Sequence, residues 1–128
     1  MPVDPEWLGH RSSAVFAGLG DKLRGRLGAL WLKPEHFSSE SLPFSAVMSI
    51  GHDVNNPDED LAVSIDLMPD CRWLRVCIAW GDGKIVAEQE FPITTCSNDD
   101  LAAAMDSAEE FFDLQLDALV KALRVLDR

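Results

Sequence analysis

Apolar and polar positions alternate with a period of two along four stretches of the chain and recur every three or four residues in two others. The first helical stretch opens at the N-terminus. Asp4 is placed to cap it, Pro5 suits the first helical position and Glu6 the first turn. Val15, Leu19, Leu23, Leu27 and Trp31 then follow at spacing four, with Phe16 and Leu30 beside them, which predicts an amphipathic helix. Gly18, Gly20, Gly25 and Gly28 weaken it, at about 1 kcal/mol each against alanine. Two short helices, broken near Gly18–Gly20 with Asp21 as the second cap, are the alternative. Lys33-Pro34 is expected to end the helical region.

Four strands are predicted next. They are Phe44–Ile50, Leu61–Met68, Arg72–Trp80 and Lys84–Phe91, with apolar sets Phe44, Ala46, Met48, Ile50; Leu61, Val63, Ile65, Leu67; Leu74, Val76, Ile78, Trp80; and Ile85, Ala87, Gln89, Phe91. Asp82-Gly83 is a strong two-residue hairpin signal. With those two residues as the loop, Trp80 faces Ile85, Ile78 faces Ala87 and Leu74 faces Phe91. Arg75 then faces Glu90 on the other side as an ion pair. Met68–Cys71 forms a short turn, and His52–Asp60 a longer acidic loop.

The last stretch reads as one long helix. Ser97 or Asn98 caps it, with Asp99 and Asp100 in its first turn. Leu101, Met105, Ala108, Phe112, Leu116, Leu119, Leu123 and Leu126 form its core stripe. Lys121, Arg124 and Arg128 lie near its C-terminus, where cations suit the helix dipole. The expectation is one α+β domain over residues 1–128: an N-terminal helix or two short ones, a four-stranded antiparallel meander and a long C-terminal helix. The helices would cover one sheet face. The other, carrying Ser45, Ser49, Ser64, Asp66, Arg75, Glu88 and Glu90, would stay wet.

Charge adds direction. The formal net charge is −11, which disfavours nucleic acid and anionic membranes and favours a basic protein partner. Residues 37–60 hold five acids and no base, and residues 94–128 eight acids to three bases, whereas residues 1–36 are nearly neutral. The acidity therefore sits in one loop and on the last helix. No stretch is apolar enough for a membrane span, and the opening residues lack the basic and apolar regions of a secretory signal. Cys71, Cys77 and Cys96 form no Cys-x-x-Cys pair and are expected as free thiols in a reducing cytoplasm.

The candidate partner-binding residues follow from that distribution. Asp106, Glu110, Asp113 and Asp117, with Asp99, fall within about 60° of one another on the last helix, opposite its core stripe. Asp53, Asp58, Glu59 and Asp60 in the acidic loop are the second group. That loop has oxygen ligands but lacks the spacing of an EF-hand. Trp73 falls on the face opposite Leu74 and Val76, at a strand end. Phe111, Leu114 and Val125 widen the apolar arc of the last helix and are expected under the first. His10, His36 and His52 are scattered, and no activated thiol, phosphate loop or catalytic spacing is present. No metal, cofactor or enzymatic activity is expected.

These features together predict a small acidic cytoplasmic protein, monomeric or homodimeric, that binds a basic protein. The concrete form is an immunity protein neutralising a nuclease-type bacterial toxin through its basic cleft. The alternative is a homodimeric acidic chaperone that holds an extended segment of a secreted effector. No helix is evident between the strands, as such chaperones commonly have.

Overall fold

The first helix, α1 (Pro5–Leu27), forms as one uninterrupted run, without a break at Gly18–Gly20. The computed structural model describes residues 5–28, 30–37, 44–51, 61–68, 72–81, 83–93 and 98–126; the caps Asp4 and Ser97 lie outside them. The buried stripe of α1 is Leu8, Ser12, Val15, Phe16, Leu19 and Leu23. Gly28 ends the helix. Its φ of 85° is the left-handed conformation that glycine adopts without steric cost, and its N–H donates to Arg24 O at 2.8 Å.

Among the described residues five strands follow rather than four: β1 (Trp31–Phe37), β2 (Phe44–Gly51), β3 (Leu61–Leu67), β4 (Trp73–Trp80) and β5 (Ile85–Pro92). They form one antiparallel meander in sequence order. The additional strand is β1, in the segment where Trp31 extends the helical spacing and Pro34 reads as a stop. Proline has no N–H to give to a ladder, and an edge strand tolerates it. Pro34 sits on such an edge, in register with Met48, while Leu32 opposes Ile50.

The last segment forms α2 (Asn98–Leu114) and α3 (Leu116–Leu126), interrupted at Gln115. Bonds from Gln115 N to Phe111 O (3.0 Å) and from Leu119 N to Gln115 O (2.9 Å) carry the run across the interruption. Helix α1 packs on β1 and β2, and α2 on β4 and β5, while α3 rests on α1. All three helices thus lie on one face of the sheet. Between them the inward residues of β2, β3 and β4 are almost wholly buried, from Phe44 and Met48 through Ile65 to Ile78. Phe112 joins the layers, its ring 6.3 Å from Phe16 and 5.5 Å from Phe111.

Chain direction is set by strand number. Each connection reverses the chain, and five strands between α1 and α2 make the two helices run the same way. Four strands would have made them antiparallel.

Two exposed glycines leave room for stabilisation. A Cβ at Gly18 or Gly25 meets nothing within 4 Å, whereas one at Gly20 would lie 2.8 Å from Leu32 Cδ1. Gly18→Ala and Gly25→Ala are expected to stabilise by about 0.5–1 kcal/mol each, through helix propensity alone. Urea titration of the double variant checks this, with a shift of the midpoint at constant slope as the expected result.

Candidate functional site

The acidic ribbon of the C-terminal helices lies against the cations of α1. Arg11 donates to Asp106 at 2.8 Å and to Glu109 at 3.2 Å. Lys22 pairs with Asp113, and Arg26 Nη1 with Asp117 at 3.1 Å. The parallel course of the helices produces this order, with early residues of α1 meeting early residues of α2. The Arg11 guanidinium is held above its ordinary value, first by its bond to Asp106. Asp106 and Asp117 keep side-chain exposures of 74% and 89%, so these pairs are solvated and worth little individually, about 0.2–1 kcal/mol. Their effect on the surface is larger than their effect on stability, because three of the five ribbon acids already face a cation. Glu110 is exposed and has no partner among the described residues. The sequence signal for this ladder is the spacing of Arg11, Lys22 and Arg26, which share one face of α1.

The second face is the side of the sheet turned away from the helices. Its centre is built of small, half-buried residues: Val47 and Ser49 on β2, Ala62 and Ser64 on β3, Ala79 on β4. Asp66 accepts a 2.5 Å bond from the Ser45 hydroxyl. Arg75 bonds Glu88, through Nε at 3.2 Å and Nη2 at 2.6 Å, rather than Glu90, its register partner. Glu90 is exposed and has no partner among the described residues. Cys77 is a buried free thiol; burial pushes it up, and Arg75 pulls the other way. Trp73 stands 41% exposed at one end.

A bulge completes this face. The register predicted for β4 and β5 holds from Trp73–Pro92 to Ile78–Ala87 and then slips, so that Ala79 faces Ile85. The turn is closed by Trp80 N–H on Lys84 O and Gly83 N–H on Trp80 O, both at 2.8 Å, with Gly83 at φ 92°. The connection is therefore one residue longer than an Asp82-Gly83 loop, a common hairpin form in which glycine supplies the left-handed residue; Asp82 itself lies outside the described residues. The slip moves Ile85 from the core set to the open face, where it is 49% exposed, with Val86 beside it at 36%. Trp73 and Ile85 thus flank Glu88 and Glu90 along β4 and β5.

Asp66 provides a pH test of this face. Burial holds its carboxyl above the usual aspartate range, against the Ser45 bond and the charge of Arg75. The unfolded side chain ionises near about 3.9. Above that pH the folded form binds the proton more tightly, so wild-type stability falls as pH rises through the folded value. Asp66→Asn does not titrate. Its melting temperature relative to wild type is expected to climb as pH increases from about 3.9 towards neutrality, as followed by circular dichroism. A gap that shrinks over that range would mean that Ser45 and Arg75 outweigh burial.

A groove runs between β5 and α2. One part, of about 210 Å³, is lined by Gln89, Phe91, Ser107, Glu110, Phe111 and Leu114. A second part, of about 350 Å³, shares Phe91 and Ser107 and extends to Ala103 and Ala104. Phe111 is buried but lines this groove beside β5, and Leu114 is 75% exposed on its rim, whereas the apolar arc predicts both under α1. The side chain of Val125 lies outside the described residues.

Asp53, Asp58, Glu59 and Asp60, and with them His52, also lie outside the described residues, as do Cys71, Cys96 and the side chain of His36. His10 is exposed, 4.0 Å from Glu6. Among the described residues no three His, Cys, Asp or Glu side chains converge as a metal site, and no helix is long and apolar enough to cross a membrane. No protein-family model matches the chain, and neither a curated protein nor a solved structure does so.

Proposed function

We propose that this chain is a binding protein for a basic protein partner, in its most concrete form an immunity protein that covers the phosphate-attracting cleft of a nuclease-type toxin. The observation that carries this reading is the open sheet face along β4 and β5, where exposed Trp73 and Ile85 flank Glu88 and Glu90. Exposed aromatic and aliphatic anchors beside a net acidic charge, two carboxylates to the one guanidinium of Arg75, suit a protein interface, the apolar groups giving affinity and the acids steering and orientation. Among the described residues each face keeps an acid without a partner, Glu90 on the sheet and Glu110 on the ribbon; the ribbon is the weaker candidate because Arg11, Lys22 and Arg26 answer three of its acids and no exposed aromatic stands beside it.

The test compares three forms of the chain as bait in a lysate of the source cells. One is wild type, one carries Glu88→Lys and Glu90→Lys, and one carries Glu110→Lys and Asp113→Lys. The expected result is one basic protein held by wild type and by the ribbon variant, lost from the open-face variant, and associating more slowly as salt rises. If that protein cleaves nucleic acid, a stoichiometric amount of the chain is expected to stop it. Retention by the open-face variant would return the interface to the ribbon, and undiminished cleavage would reject inhibition. The chaperone alternative has the groove between β5 and α2 in its favour, because an extended segment fits there. It calls for a homodimer, which sedimentation would detect.

A further inference from the structure

Both edges of the sheet carry a proline, Pro34 in the middle of β1 and Pro92 at the last residue of β5, so the β5 edge is blocked only at its end. On β1, Pro34 offers no N–H, and Lys33 and Glu35 pair across it at 3.1 Å. Such an edge resists further pairing. On β5, no strand pairs the outer side among the described residues, and the strand is exposed along most of its length. Ile93 N–H donates to Arg72 O at 2.7 Å. Antiparallel pairs alternate, so from this bond Phe91 and Gln89 turn their backbone groups towards β4. Glu90 and Glu88 turn theirs outward.

The same two residues carry the acids of the open face. Any strand added to β5 therefore forms main-chain bonds with Glu88 and Glu90 and places the opposing side chains next to their carboxylates. Its intervening side chains turn to the other face, over the groove bordered by Phe91, Phe111 and Leu114, with Gln89, Ser107 and Glu110 at its polar side. Resting on the reading that the chain binds a basic protein, we propose that β5 takes an extended segment of that partner as a sixth strand. The segment alternates lysine or arginine with apolar residues, one basic side chain against the unpartnered Glu90, another sharing Glu88 with Arg75, and the apolar ones against Phe91, Phe111 and Leu114 beside α2. Strand addition of this kind draws affinity from main-chain bonds and specificity from alternate side chains. A second copy of this chain is the poorer occupant. The two antiparallel registers with the longest overlap of β5 on itself set Glu88 against its own copy or against the other copy's Glu90, and like charges directly opposite are destabilising.

The probe is a short capped peptide alternating Lys with Val. Two controls share its composition: one groups the lysines and valines in blocks, and the other is N-methylated on the amides that would face β5. Nuclear magnetic resonance of the full chain reads binding and amide exchange together. The expected result is binding of the alternating peptide, slowed exchange at Glu88 and Glu90, and affinity weaker by roughly tenfold or more for the N-methylated peptide. Glu90→Pro removes an outward N–H and leaves the bonds to β4, so it is expected to fold as wild type by circular dichroism and to lose the peptide by a similar factor. Glu88→Gln with Glu90→Gln keeps the backbone and is expected to weaken binding in low salt only. Equal binding of the N-methylated peptide, or unchanged binding by Glu90→Pro, would overturn the strand. A dimer that Glu90→Pro dissociates would give the edge to a second copy and overturn it likewise. If the captured basic partner binds Glu90→Pro as it binds wild type, the edge fails and the proposed function stands; if the partner ignores Glu88→Lys with Glu90→Lys as well, the open-face reading of that function fails with it.

Discussion

Replacing Phe112 with alanine is expected to cost about 3–5 kcal/mol, the range for truncating a buried aromatic ring. Phe112 is 1% exposed and packs against Phe16 of α1 and Phe111 of its own helix. The hole would open where α1 and α2 meet above the sheet, and neither helix can close it without leaving the strands it covers. A chain of this size has about 5–15 kcal/mol in total, so the variant is expected to lose a large share of its stability. Guanidinium titration measures the loss. A cycle with Phe16→Leu isolates the ring pair, for which about 0.5–1.5 kcal/mol of coupling is expected. A loss under 1 kcal/mol would mean that the helices are not packed through this ring.

The same substitution at two isoleucines is expected to give opposite results. Ile65 lies at the centre of β3, wholly buried, with Ala46 and Val76 as its register partners. These neighbours are too short to fill the space, and Ile65→Ala is expected to cost about 2–5 kcal/mol. Ile85 falls in the alternating apolar set of β5, and alternation alone would give it a comparable cost. The bulge turns it outward to 49% exposure, and Ile85→Ala is expected to stay within about 0.5 kcal/mol. Both are read from unfolding midpoints. A large loss at Ile85 would place its side chain back in the core.

The contrast between these residues shows how far the pattern along the chain reaches. The strands Phe44–Gly51, Leu61–Leu67 and Trp73–Trp80 are legible because each buries one face, and a period of two admits one assignment of faces. Most of the β4–β5 register is legible for the same reason. The slip at Ala79 is not, because Asp-Gly suits loops of either length and neither choice changes the residues themselves. Strand β1 is hidden by Trp31, whose place four residues after Leu27 continues the helical spacing, and by Pro34, which can stop a helix or occupy an edge. That one strand also sets how the helices meet. With four strands the helices oppose each other, and Arg11 would face the far end of the last helix. With five they run together, and the ladder from Arg11–Asp106 to Arg26–Asp117 follows. The acids of the ribbon are visible in the sequence; that α1 supplies their counterions depends on the parity of the strand count.

That closure also orders events during synthesis. Arg11 meets Asp106 across 95 positions of chain, and Lys22 meets Asp113 across 91. At a translation rate of roughly 5–20 residues per second, α1 waits on the order of 5–20 s for the helices that cover it. Loop closure over so long a span comes late in folding. In that interval Leu8, Phe16 and Leu23 lack α2 and α3, and the strands leave the ribosome one by one, each offering an open edge to the next. A nascent chain stopped before residue 98 has a complete meander without the α2–α3 half of its helical cover. In such a product the inward faces of β4 and β5 stay bare, the surface on which a cell's holdases and proteases act.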